Sequence, residues 1–248
     1  MAAQEPFRLL MDRQVFEFIY NLKPLTDAAS VTRAMGAVLN HHGIDHFCLS
    51  FLPGPKQTYN EVAIENRMPD GYVPTYLEKG YTHDDPVFHH CKTTVLPFRW
   101  YKDTPFDPVR KPRAAEIVGL ARDHGMVDGV VVPVASTGGR LGQVFFGGRE
   151  FDLPEYKLPA LHLMAHYAFE RLLRLKGVRG AREHNLTDRE VEVLTLVAAG
   201  LTSAAIAARL GIVERTVNAH VTHCCKKLGA AGRTQAAAIA IQDGIIQP

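Results

Sequence analysis

The sequence predicts an α+β protein in two parts, an α/β/α sandwich with an antiparallel sheet followed by an all-α domain of four helices. Helix and strand patterns are mixed in the first two thirds of the chain, whereas every apolar pattern near the C-terminus has a helical period. The segment RLKGVRGAREHN between them breaks this periodicity with two glycines and a run of charges. We therefore expect a large domain over 1–176, a linker over 177–184 and a small domain over 185–248.

The large domain begins with helical patterns over Phe7–Leu22 and Ala28–His42, and the stretches FCLSFL and NEVAIEN then have strand composition. Arg113–Gly125 predicts a helix that ends at a glycine cap. The strands GVVVPV and LGQVFFGG flank ASTGGR, which has the composition of a hairpin turn. A long amphipathic helix is expected over Asp152–Lys176, with one apolar stripe made of Leu158, Leu161, Ala165, Phe169 and Leu172.

The small domain shows four helices with clear boundaries. Thr187 and Glu190 stand in the relation of a capping box, and the helix they open stops at Gly200. The second helix is TSAAIAARL, capped by Thr202 or Ser203 and ended by Gly211. The third and fourth helices are expected over Glu214–Leu228 and Thr234–Asp243.

The third helix contains two histidines and two adjacent cysteines, so a metal site is the alternative to an amphipathic rod. On a helical wheel Val217, Val221, Cys224 and Leu228 share the apolar side. His220 and Cys224 could share a metal, but Cys225 points about 100° away and no second ligand pair is near. In the large domain, the run HDDPVFHHC is interpreted as solvated helix ends. We predict no metal site and no cofactor.

Three residues indicate that the second and third helices form a helix-turn-helix. Ala207 permits a close helix crossing, Gly211 allows the positive φ of a tight turn, and Val217 fills the angle between the helices. From Arg171 onward the chain carries eleven basic against six acidic residues, which favours a polyanionic partner. The predicted contacts to double-stranded DNA are Thr202, Ser203, Arg215, Thr216, Asn218, Thr222, His223, Lys226 and Lys227.

The small domain resembles the C-terminal DNA-binding domain of the LuxR family of transcription regulators. The residues that fit are Glu190, Leu194, Gly200, Ile206, Ala207, Thr216, Val217, His220, Lys227 and Leu228. Ala205 departs from the family pattern, which often has an acidic residue there. The match covers the whole domain.

The stretch YVPTYLEKGYTHDDPV, with Trp100 and Gly129, resembles the autoinducer-binding domain of the quorum-sensing branch of that family. The resemblance implies an N-acyl homoserine lactone as ligand. It implies that Asp85 accepts the ligand's amide N–H, that Trp100 packs on the lactone, that Tyr76 lines the acyl side and that Gly129 lets a strand pass closely.

Three positions depart from that pattern and bear on the ligand. Tyr72 replaces the usual tryptophan, Met68 stands where a tyrosine is common, and Phe145 replaces a small hydroxylated residue. These side chains narrow the ligand-binding slot and make it less polar, so we expect a short branched or aryl acyl group.

The sequence thus predicts a cytoplasmic, ligand-responsive transcription regulator with reduced cysteines, no signal peptide and no membrane partner. We expect a homodimer that uses the long helix and the C-terminal helix and binds an inverted repeat, with RNA polymerase as a candidate partner. Two alternatives stay open at this point. One is a regulator that no longer needs its ligand, and the other is a lactone hydrolase with Asp85 and His83 as acid and base.

Overall fold

The computed structural model describes residues 5–104, 107–136, 139–149, 151, 153–178 and 185–246, without the side chains of 5–11. The chain divides into two compact units, and after the long helix the boundary lies between Gly177 and Val178. Most of the expected linker, residues 179–184, lies outside the described residues. No helix in the described part of the chain has the length and apolar character that a membrane crossing requires.

The first unit contains seven α-helices and five strands within the described residues. The helices are α1 (Glu5–Asn21), α2 (Ala28–Asn40), α3 (Tyr59–Val62), α4 (Tyr72–Glu78), α5 (Pro86–His90), α6 (Pro112–Asp123) and α7 (Leu158–Leu175). The strands are β1 (His46–Phe51), β2 (Ala63–Arg67), β3 (Phe98–Arg99), β4 (Asp128–Ala135) and β5 (Leu141–Gly148).

The strands form one sheet in the order β2-β1-β5-β4-β3, and every pairing is antiparallel. Helices α1, α2 and α7 pack together on one face, where Phe51 meets Phe169 edge-on at 5.5 Å between ring centroids. On the other face, which we call the inner face, Cys48, Val131 and Phe145 pack against residues of α4–α6. The predicted α/β/α sandwich is confirmed.

Two boundaries differ from the sequence prediction. The stretch NEVAIEN does not start as a strand, because Thr58 and Glu61 form a capping box that opens the single turn of α3 before β2 begins. The long helix begins at Leu158 rather than at Asp152, which lies outside the described residues. Pro154 has an extended backbone with ψ 146°, so the chain first makes a short 3-10 turn over Glu155–Lys157.

The second unit contains the four predicted helices, α8 (Asp188–Ala198), α9 (Ser203–Leu210), α10 (Glu214–Leu228) and α11 (Arg233–Gln242). The capping box of Thr187 and Glu190 is present, and Thr202 caps α9. Gly211 ends α9 with φ 66°, and Val217 is fully buried. The four-helix prediction and the helix-turn-helix geometry of α9 and α10 are confirmed.

Candidate functional site

A cavity of about 50 Å³ lies between the inner face of the sheet and the shorter helices of the first unit. It collects six of the seven predicted ligand residues, Met68, Tyr72, Tyr76, Asp85, Trp100 and Phe145. The sequence prediction missed the other seven lining residues, which are Cys48, Tyr59, Val73, Val87, Phe88, Met126 and Gln143. One cavity thus gathers side chains that lie far apart in the sequence.

Asp85 is the one carboxylate among the described residues of the cavity wall. It stands at the N-terminus of α5, where one oxygen accepts from the backbone N–H of Val87 at 2.9 Å and the other from the hydroxyl of Tyr76 at 2.9 Å. Burial raises the pKa of Asp85, and the two hydrogen bonds partly offset that rise. No ion pair of Asp85 is seen among the described residues, so this carboxylate can still accept a hydrogen bond from a buried N–H.

Three tyrosines meet beside Asp85. The ring of Tyr76 lies 5.8 Å from that of Tyr72 and 6.2 Å from that of Tyr59. Burial raises the pKa of each phenol well above its usual value, so all three stay protonated and can donate. Among the residues that the structure describes, the hydroxyl of Tyr59 has no partner beyond the weak one that the Cys48 thiol offers.

Trp100 forms the wall next to Phe145, with the two rings edge-on at 5.3 Å, and stacks on Tyr101 at 4.1 Å. Its indole nitrogen is buried and has no hydrogen-bond partner in the described ranges of the chain. Gly129 does not line the cavity. A Cβ there would come within 2.8 Å of that nitrogen and 2.3 Å of the Phe146 carbonyl oxygen. Because Gly129 has no side chain, the indole of Trp100 can lie directly against this point of β4.

The thiols of Cys48, which lines the cavity, and of Cys91, which is buried in the core beside it, are unreactive because of their surroundings. Burial raises the pKa of Cys48 to about 11 and raises that of Cys91, so both stay protonated. No cluster of three or more metal-ligating side chains occurs in the described part of the chain. In the second unit, Cys224 is buried and its thiol contacts the Glu190 carbonyl at 3.6 Å.

The exposed side of α10 presents most of the predicted DNA contacts. Arg215, Asn218, Thr222, His223 and Lys226 are exposed, and Thr216 is half-buried. The hydroxyl of Thr222 donates to the Asn218 carbonyl one turn earlier. Thr202 is exposed at the start of α9, where its side chain accepts from the Ala205 N–H.

Ser203 faces inward, which differs from its predicted place at a phosphate. It is buried, and its hydroxyl donates to the side-chain oxygen of Asn218 at 2.7 Å. Arg233 approaches the same hydroxyl at 3.4 Å and donates to the Leu201 carbonyl at 2.9 Å. Since Ser203 is the first residue of α9, its hydroxyl links the N-terminus of α9 to the side-chain amide of Asn218 on α10.

Lys227 is held by a buried partner. Its ammonium lies 2.7 Å from a carboxylate oxygen of Glu190, whose side chain is only 4% exposed. Burial raises the pKa of Glu190, but hydrogen bonds from Lys227 and Thr187 outweigh it and lower the pKa below its usual value. The other carboxylate oxygen is 3.9 Å from the ring of His223. The structure thus gives Lys227 a stabilising contact that the sequence prediction did not foresee.

Two family models match the chain. Residues 27–172 match the model described as the autoinducer binding domain, and residues 184–240 match that of bacterial regulatory proteins of the luxR family. The first match contains the cavity and the second contains the helix-turn-helix.

Curated relatives match over nearly the whole length. The chain is 34% identical to the transcriptional activator protein BjaR1 of Bradyrhizobium diazoefficiens, over 95% of this chain and 97% of that protein. It is 32% identical to the quorum sensing-dependent transcriptional regulator RpaR of Rhodopseudomonas palustris, over 96% and 97%. Among solved structures, SdiA in complex with octanoyl-rac-glycerol superposes with a TM-score of 0.75 at 25% identity, over 100% of this chain and 98% of that one.

These families and relatives are transcription regulators, not enzymes, so the hydrolase alternative is not retained. The chain belongs to the LuxR family of bacterial transcription regulators, with an autoinducer-binding domain followed by a helix-turn-helix DNA-binding domain.

Proposed function

We propose that the cavity binds an N-acyl homoserine lactone and that the bound protein controls transcription at specific promoters. The observation that carries this proposal is the convergence of Asp85, Trp100 and the tyrosines on one buried cavity. Asp85 accepts the ligand's amide N–H as a charge-assisted bond, since no cationic side chain in the described part of the chain engages either carboxylate oxygen. The lactone packs on Trp100, and Tyr72 donates to the lactone carbonyl.

The cavity must open to admit a ligand. A water needs about 10–15 Å³ of such space, so 50 Å³ holds a few waters, whereas ligand pockets measure about 300 Å³ or more. Met68, with its flexible side chain, and Phe145 fill part of the volume. We propose that the acyl group is short and branched or aromatic, because a long straight chain would have to displace both.

Ligand binding also completes the core of the first unit. The buried indole nitrogen of Trp100 has no partner among the residues described, and a buried unsatisfied donor costs about 1–3 kcal/mol. A ligand that supplies an acceptor and fills the cavity stabilises the folded state by mass action. The ligand-bound form is therefore the more stable and more readily dimeric form.

The dimer is proposed to form through helices that expose apolar side chains. Phe16 and Tyr20 on α1 and Leu163 and Tyr167 on α7 are exposed, and these two helices pack against each other. Exposed apolar groups on neighbouring helices are typical of a surface that a partner covers. The C-terminal helix α11 is the second proposed contact.

We propose that α10 lies in the major groove of an inverted repeat, with one copy in each half-site. Asn218 and Thr222 then meet base edges, and Arg215, Lys226 and the capped start of α9 near Thr202 meet phosphates. RNA polymerase is a proposed partner at the promoter. Because bacterial promoters lie in the cytoplasm, the protein is proposed to act there.

A DNA-shift assay at stated salt tests both parts of the proposal, with duplexes selected from a random pool by the protein purified with ligand. We expect DNA binding to depend on the lactone, and to favour short branched or aryl members of a panel. Asp85→Asn is expected to raise the ligand concentration needed by about ten- to a hundredfold, from the loss of a charge-assisted bond. Asp84→Asn, an exposed neighbour paired with Arg113, is the matched control and should behave as wild type.

Two outcomes contradict the proposal. DNA binding that no lactone alters would favour a regulator that needs no ligand. Mass spectrometry of a co-purified ligand that reveals a long straight acyl chain would overturn the proposed size of the acyl group.

A further inference from the structure

Two polar side chains on the inner face of the sheet have no role in the contacts proposed so far. Ser50 on β1 and Gln143 on β5 are directly paired in the sheet, on the same face as Cys48 and Phe145. Ser50 is fully buried and Gln143 is 4% exposed. Gln143 lines the cavity.

Neither side chain finds an adequate hydrogen-bond partner in the described part of the chain. The Ser50 hydroxyl has no partner. The amide oxygen of Gln143 accepts only a weak hydrogen bond from the thiol of Cys91, at 3.6 Å. A primary amide offers two donors and one acceptor oxygen, and each buried polar group left unpaired costs about 1–3 kcal/mol. Gln143 lines the cavity and Ser50, which is not a lining residue, is its direct partner in the sheet, so this corner is suited to a polar group that the protein does not supply.

The position of Gln143 identifies which part of the ligand would reach it. Gly129, which supports Trp100 from behind, pairs with Gly147 on β5. Phe145 and then Gln143 follow on the same face, each step about 7 Å further along the strand. With the lactone on Trp100, the acyl group runs past Phe145 and its far end meets Gln143.

We propose that the acyl group carries a hydroxyl at its far end, which Gln143 and Ser50 bind. The inference rests on the proposed function, because it assumes that an acyl homoserine lactone lies on Trp100. A hydroxyl both donates and accepts, so it can donate to the amide oxygen of Gln143 and accept from the amide nitrogen or from Ser50. An unsubstituted alkyl or phenyl end would leave all of these groups unpaired in the bound state.

The test is calorimetric titration of the full chain with matched pairs of ligands. One pair is hexanoyl and 6-hydroxyhexanoyl homoserine lactone, and the other is 3-phenylpropanoyl and 3-(4-hydroxyphenyl)propanoyl homoserine lactone. The wild type should bind the hydroxylated member of at least one pair about tenfold more tightly or better, the fold-change expected of a buried polar site whose partner is missing.

Gln143→Leu, of similar size, should abolish that preference and leave the affinity for the plain member unchanged or increased. Ser50→Ala should reduce the preference, and it serves as the milder variant if Gln143→Leu does not fold. A wild type that binds both members of each pair equally, or prefers the plain ones, overturns the inference while the proposed function stands. If no acyl homoserine lactone in the wider panel binds at all, the proposed function fails and the inference fails with it.

Discussion

Lys227→Met should loosen the second unit of the protein, because it leaves the Glu190 carboxylate without its cation. Glu190 is 4% exposed and its bond to Lys227 measures 2.7 Å. A hydrogen bond to a charged group contributes about 1.5–3 kcal/mol, and we take the lower part of that range because the Lys227 side chain is 32% exposed and solvent screens part of the interaction. About 1.5–2 kcal/mol corresponds to a ten- to thirtyfold increase in local opening.

Hydrogen exchange of the full chain measures this opening peptide by peptide. Peptides from α8 and α10 should exchange about ten- to thirtyfold faster in Lys227→Met, and peptides from the sheet should not change. Lys226→Met is the matched control, because Lys226 is exposed on the same helix and should affect DNA affinity without affecting exchange. The double variant Lys227→Met with Glu190→Gln should recover part of the loss. Unchanged exchange in Lys227→Met, together with a reduced salt dependence of DNA binding, would refute the reasoning and favour a phosphate contact.

Three further outcomes are expected. Gly129→Ala should weaken lactone binding by about tenfold or more in calorimetry, because the new Cβ would come 2.8 Å from the indole nitrogen and 2.3 Å from the Phe146 carbonyl oxygen, so both the indole and the strand must shift. An equal affinity would contradict this role. Asp85→Asn should make the ligand-free protein less sensitive to pH in thermal unfolding. The pKa of the Asp85 carboxyl is higher in the folded than in the unfolded protein. Its protonation therefore stabilises the fold fully below the pKa of the unfolded state, and this stabilisation is lost as pH rises through the pKa of the folded state. Ser203→Ala should reduce sequence discrimination in DNA-shift assays more than nonspecific affinity, since it frees the Asn218 side chain, and an equal loss of both would count against it.

The sequence predicted the cavity residues better than their contacts. The resemblance to the autoinducer-binding domain placed Met68, Tyr72 and Asp85 at one site, but it did not show that Tyr76 donates to Asp85. That bond depends on how α4 and α5 pack, which no local pattern specifies. The sequence prediction did not include Gln143, although the strand period indicates it. Gln143 lies two residues before Phe145 and therefore faces the same side of the strand.

In the second unit the helix boundaries followed from caps and glycines, but the sequence prediction included neither the inward direction of Ser203 nor the pairing of Lys227 with Glu190. Ser203 stands three and four residues before the buried Ile206 and Ala207, so the helical period already indicated an inward direction. Lys227 stands three residues after the buried Cys224, and its pairing with Glu190 depends on the packing of α10 against α8. The T-x-x-E spacing of Thr58 and Glu61 is likewise a local pattern that indicates the start of α3.

The placement of the aromatic residues has a practical consequence for spectroscopy. The chain's single tryptophan is Trp100 in the cavity wall, and residues 178–248 contain no tryptophan, tyrosine or phenylalanine. Ultraviolet emission and near-ultraviolet circular dichroism therefore report on the first unit alone. Trp100 is a built-in reporter of ligand entry, whereas unfolding of the DNA-binding unit is silent to these methods unless a chromophore is introduced there.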